Sequence, residues 1–143
     1  MILLDTTVLV YSMGRDHHYR DPCRELVRAV STGALRATTT VEAIQEFVHV
    51  RARRRGRDEA AALGRDYAAL LAPLLSPNGQ DLEDGLMLFE HHPALGAFDA
   101  VLAAAGLNAG VTALVSADSA FAGVPGLAHV VPDRQAVSTL IDA

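Results

Sequence analysis

Short runs of this chain are apolar at consecutive positions, where a half-buried strand would alternate. MILL at Met1–Leu4, VTALVS from Val111 and LAHVVP from Leu127 place aliphatic side chains on both sides of an extended backbone. Successive side chains of a strand point to opposite faces, so such runs must be covered on both, as strands are inside a parallel sheet. The intervening sequence reads as helix. Thr7 to Met13 follows the first run at once, and the stretch from Pro22 to Gly33 has proline where a helix starts and glycine where one stops. Helices are also expected over Val41–Arg55, Asp58–Leu75, Asp81–His92 and Leu95–Leu107, and RQAVSTLI closes the chain as another. LRATTT, before Val41, reads as a further short strand. Alternating strands and helices predict an α/β fold, a parallel sheet flanked by helices. With 143 residues, half of them hydrophobic, one domain spanning residues 1–143 is expected.

Charge narrows the chemistry. All twelve basic residues are arginine and the chain has no lysine. Met1–Ala72 carries eleven arginines against nine acids, net +2, whereas Pro73–Ala143 carries one against eight, net −7, which together give the formal −5. Affinity for nucleic acid phosphates comes from basic groups, so this balance does not suit a general nucleic acid binder. The acids need a metal, a basic partner, or both. Cys23 is the single cysteine, which excludes an internal disulfide and a cysteine-based zinc site. The start of the chain has no basic segment ahead of its apolar run, and no later run has the roughly 18 apolar residues of a membrane helix, so a cytoplasmic protein is expected.

In parallel α/β sheets ligands lie beyond the carboxyl ends of the strands. Asp5 ends the first strand, and Asp118 lies just past a later one in LVSAD. Asp99 stands alone in an otherwise apolar helical stretch, LGAFDAVLAAAGL. A buried unpaired carboxylate is costly, and a shared divalent cation would serve several at once. The helix from Val41 offers Glu42 and Glu46. The spacing of Thr39 and Glu42 predicts a capping box, which occupies Glu42 and leaves Glu46 without a structural role. Periodicity does not turn Glu46 inward, because Val41, Ile44 and Val48 define an apolar arc on another side.

The strand ending in LLDTTVLV, the glutamate in IQEFVHVRARR, the aspartate in GAFDAVLAAAG and the strand ending LVSADSAF together resemble the PIN domain. The short layout ending in VPGLAHVVP is similar to the VapC-type toxins of toxin–antitoxin pairs. The likeness spans nearly the whole chain. It implies a three-layer α/β/α domain and an endoribonuclease dependent on Mg²⁺ or Mn²⁺, with Asp5, Glu46, Asp99 and Asp118 as catalytic and metal-binding residues. Thr6 and Ser116 would sit around that cluster, and Ala97 stands where a serine is frequent. The resemblance further implies an RNA substrate, a cognate VapB-type antitoxin and homodimerisation. A PIN-like module that binds RNA or a partner without catalysis is the other functional reading.

Each residue also has a structural role open to it. Asp5, Asp118 and Asp99 can serve as helix caps, and Glu46 as a solvated helix residue. The arginines of RARRRGR, Arg51–Arg57, complement a helix dipole or contact phosphate or a partner. His17, His18 and Tyr19 lie in a polar loop near the sheet edge, within reach of RNA. Three alternatives fail on composition. Phosphatases of the haloacid dehalogenase type resemble D-x-D-x-T, and Thr7 stands where the second aspartate belongs. They and phospho-accepting receiver domains also use a lysine, as do P-loop hydrolases, and here there is none.

Overall fold

In the computed structural model, which describes residues 1–143, the aliphatic runs form four strands. These are β1 (Ile2–Leu4), β2 (Ala37–Thr38), β3 (Ala113–Val115) and β4 (His129–Val130), all parallel, in the order β2-β1-β3-β4. Around them lie α1 (Thr6–Met13), α2 (Arg20–Ser31), α3 (Val41–Arg55), α4 (Arg57–Leu70), α5 (Gly79–His91), α6 (Ala97–Asn108) and α7 (Arg134–Asp142), with a 3₁₀ turn at Ser119–Gly123.

The missing alternation in the strands has its reason in two separate cores. Ile2, Leu4, Ala113 and Val115 point to one face, where they meet Val8 and Leu9 of α1, Leu26 of α2, Ile44 and Phe47 of α3, Tyr67 of α4 and Val137 of α7. Leu3 and Leu114 point to the other, against Ala100, Leu102 and Ala103 of α6 and against Leu95, Phe121 and Leu127. This is the three-layer α/β/α arrangement that the sequence predicts, with β1 in the middle of the sheet. Two glycines set how closely the outer helices approach. A Cβ on Gly64 would lie 2.5 Å from Val48 Cγ2 between α4 and α3, and one on Gly85 would lie 2.8 Å from Val101 Cα between α5 and α6. No helix is long and apolar enough to cross a membrane.

Two expectations are corrected. The helix expected over Asp58–Leu75 stops at Leu70. Pro73 has no N–H to give a helix and disfavours helical geometry before it. The chain beyond is drawn to the sheet edge instead, where Leu75 N–H donates to Thr39 O at 2.9 Å and Val41 N–H donates to Leu75 O at 3.0 Å. The capping box expected for Thr39 and Glu42 does not form. Thr40 is the cap, accepting from Ala43 N at 3.1 Å, while Thr39 Oγ1 donates to Leu4 O at 2.7 Å and ties the start of α3 to β1. Glu42 Oε2 is left buried without a partner. The capping box of this chain is at Asn78 and Asp81, opening α5. Smaller shifts matter at one place: α6 starts at Ala97, so Asp99 lies in its first turn.

Candidate metal centre

Because β1 and β3 are parallel neighbours, Leu4 pairs with Val115 and their continuations leave the sheet side by side. Asp5 follows Leu4, its N–H bonded to Val115 O at 3.0 Å, and is only 4% exposed. It occupies the cap position of α1, yet its carboxylate makes no cap hydrogen bond. Ser116 Oγ donates to Asp5 Oδ2 at 2.6 Å and Thr7 Oγ1 donates to the same oxygen at 3.0 Å. Ser116 Oγ also accepts from Asp118 N at 3.0 Å, and Thr7 Oγ1 accepts from Ala117 N at 3.0 Å. Two hydroxyls thus lock the ends of β1 and β3 and aim the carboxylate. Thr7, read in the sequence only for the aspartate it replaces, belongs to this clamp. The signal was a second threonine directly after Asp-Thr.

The other acids arrive from different elements. Glu46, in the second turn of α3, is exposed, but Thr6 Oγ1 donates to its Oε2 at 2.9 Å and holds it toward α1. Asp118 accepts from Ala120 N through Oδ1 at 2.9 Å, so it caps the 3₁₀ turn as well as facing the cleft. Asp99 projects from the first turn of α6, at the positive end of the helix dipole. Asp5, Glu46, Asp99 and Asp118 line one cleft of about 1050 Å³ together with Thr6 and Thr7. The structure therefore brings together every acid that the sequence singled out.

Their mutual influence shows at Asp99, whose carboxyl is pushed up to about 7 from 3.8, first by burial and then by the charges of Asp5, Asp118 and Glu46. Both bonds to Asp5 fall on Oδ2, that to Glu46 on Oε2 and that to Asp118 on Oδ1, so each carboxylate keeps an oxygen with no protein donor. As the side chains stand, no three acidic, histidine or cysteine groups are arranged to hold a metal ion. A hard cation such as Mg²⁺ takes one or two carboxylates and keeps several waters, so this all-oxygen set with free lone pairs fits one. The far wall of the cleft is basic, carrying Arg15, Arg51, Arg54 and Arg55.

A parallel three-layer α/β domain with converging acids beyond its strand ends is the class that the fold and cleft define. The signature of the PIN domain matches residues 2–127, and the chain belongs to the PIN-domain family. It is 54% identical to Ribonuclease VapC7 of Mycobacterium tuberculosis strain H37Rv over 142 residues, covering 99% of this chain and 98% of that protein. It is 32% identical to Ribonuclease VapC23 of the same species over 122 residues, 85% of this chain and 96% of that one. Among solved structures, the Mycobacterium tuberculosis toxin VapC20, described as cleaving the sarcin-ricin loop, superposes with a TM-score of 0.69 over 86% of this chain and 95% of that chain. At 15% identity that likeness speaks to the fold alone.

Proposed function

We propose that this chain is an endoribonuclease, the toxin of a VapC-type toxin–antitoxin pair, using Mg²⁺ or Mn²⁺ held by Asp5, Glu46, Asp99 and Asp118. The observation that carries this reading is the donor set: four carboxylates from four elements line one cleft, each with a donor-free oxygen, and three of them raise the proton affinity of the fourth. The ribonuclease relatives support RNA as the substrate class.

When bound, a divalent ion supplies a nucleophilic water near neutral pH and offsets charge building on the phosphate. The chain's own residues prepare for that chemistry. Ser116 and Thr7 fix the Asp5 carboxylate, so the main ligand is oriented before metal arrives. Asp99, which no hydrogen bond restrains, supplies the second main ligand. Glu46, tethered by Thr6, and Asp118, tethered by its own turn, complete the cluster and orient water around it. One domain of residues 1–143, a VapB-type antitoxin, homodimerisation and a cytoplasmic location complete the proposal.

The test is cleavage of single-stranded RNA by the purified protein and by Asp99→Asn. The wild type should cut with Mg²⁺ or Mn²⁺ and stop in EDTA, and the variant should lose the activity in both. Equal cleavage by the two proteins would overturn the proposal, and no cleavage by either would leave a binding module.

A further inference from the structure

The cleft has two halves of opposite sign. The acids at the strand ends make one, and Arg15, from the loop after α1, together with Arg54 and Arg55, from the last turn of α3, make the other. Arginine at a helix end is ordinarily explained by the dipole. That account does not distinguish Arg54 and Arg55 from Arg53 and Arg57, which share the same helix junction and lie outside the cleft.

The structure also separates bound arginines from free ones. Arg51 is committed: its Nη1 donates to Met13 O at 3.0 Å and its Nη2 pairs with Glu59 at 2.6 Å, tying α1, α3 and α4 together. Arg15, Arg54 and Arg55 are exposed and enter no ion pair. Asp16, the one acid on that side, pairs with Arg20 at 3.5 Å. The loop bearing Arg15 is braced by Tyr11 stacked on His17, with centroids 4.4 Å apart, and by His17 Nδ1 accepting from Tyr19 N at 3.1 Å. Free guanidiniums are thus held on firm supports beside the acids.

Resting on the nuclease reading above, we propose that Arg15, Arg54 and Arg55 form the RNA-docking strip of the cleft, holding backbone phosphates beyond the nucleotide being cut. A cluster of carboxylates repels a polyanion, so a strand reaching it needs positive charge along its approach. Guanidinium forks match phosphate oxygens in pairs. From Glu46 to Arg54 and Arg55 the helix rises about 12 Å, which takes the contact past the reacting phosphate. An acidic protein segment would meet the same carboxylates and bring no phosphate for an ion held among them, so RNA is the occupant that suits both halves of the cleft.

The experiment compares Arg54→Gln/Arg55→Gln with Arg53→Gln/Arg57→Gln, two variants of equal charge. Binding of a labelled, short, random-sequence single-stranded RNA is followed by fluorescence anisotropy across a salt series, and cleavage of the same RNA is followed in parallel. The cleft pair should weaken binding and lower the slope of log K against log salt by about 1.4, as two lost single-strand phosphate contacts require. It should raise KM more than it lowers kcat, and Arg54→Lys/Arg55→Lys should restore most of the slope. The outer pair should leave affinity and slope near wild type. Equal effects of the two pairs, or no effect of the cleft pair, would overturn the docking strip while wild-type cleavage keeps the nuclease reading intact. Weakened binding of a VapB-type partner with unchanged RNA binding would overturn it in favour of a protein interface. Failure of the wild type to cleave, with the slope difference present, would remove the nuclease reading and leave the strip as an RNA-binding feature.

Discussion

Replacing Asp99 by asparagine should stabilise the metal-free protein while abolishing its chemistry. In the folded state the Asp99 carboxyl holds its proton up to about 7, whereas the unfolded chain releases it near 3.8. Between these values the unfolded state binds fewer protons, so stability falls as pH rises, and above about 7 the loss is complete and constant. The full difference of about three pH units is worth about 4 kcal/mol. Asp99 is partly open to solvent, and screening reduces this to about 2 kcal/mol. Asparagine has the same shape and no charge, and it escapes this cost. In EDTA at pH 8, Asp99→Asn should therefore melt about 7 °C above the wild type for a chain of this size. At pH 4 the two should melt together. Added Mn²⁺ should raise the wild type and leave the variant nearly unmoved. The assay is thermal unfolding by circular dichroism at both pH values. A variant that melts at or below the wild type at pH 8 would refute this, because the ionised Asp99 would then carry no net cost from its burial and from the charges of Asp5, Asp118 and Glu46.

Three further outcomes follow from the geometry. Ser116→Ala removes the 2.6 Å bond to Asp5 and the acceptor for Asp118 N, so RNA cleavage should fall about 10- to 100-fold with the metal still bound; unchanged rates would deny the clamp. Gly85→Ala would press a methyl against the Val101 backbone at 2.8 Å, and urea unfolding should show a loss of about 1–3 kcal/mol as α5 and α6 part. Burial pushes the Cys23 thiol up to about 12, so a thiol-disulfide reagent at pH 8 should label it only after unfolding; rapid labelling of the native protein would contradict this.

A feature is legible in the sequence where one residue type carries its own physical demand. Unbroken aliphatic runs need two covered faces, and Leu3 pointing away from Ile2 and Leu4 is that demand met. Asp5 and Asp118 were visible because a charge that closes a strand needs a reason. Glu46 was not visible from its helix, because the buried side of α3 is set by Ala43, Ile44 and Phe47 and the group that captures it, Thr6, lies forty residues earlier. The Thr39 cap was misplaced by one residue for the same kind of reason: three consecutive threonines offer three candidate caps, and the pairing of Leu75 with Thr39 and the bond to Leu4 decided among them. Thr7 was legible only as something missing, since its bond to Ala117 joins chain segments more than a hundred residues apart. Contacts of that reach depend on the sheet order, which local pattern does not encode.

In the proposed function, Asp5, Glu46, Asp99 and Asp118 form one divalent metal site. Titration of the protein with Mn²⁺, followed by the loss of its free paramagnetic resonance signal, measures this directly. The wild type should take up at least one ion, Asp5→Asn and Asp99→Asn should each lose it, and Asp84→Asn, on α5 outside the cleft and bonded to Asn108 of α6, should retain it. No uptake by the wild type, or equal uptake by all four proteins, would contradict the claim.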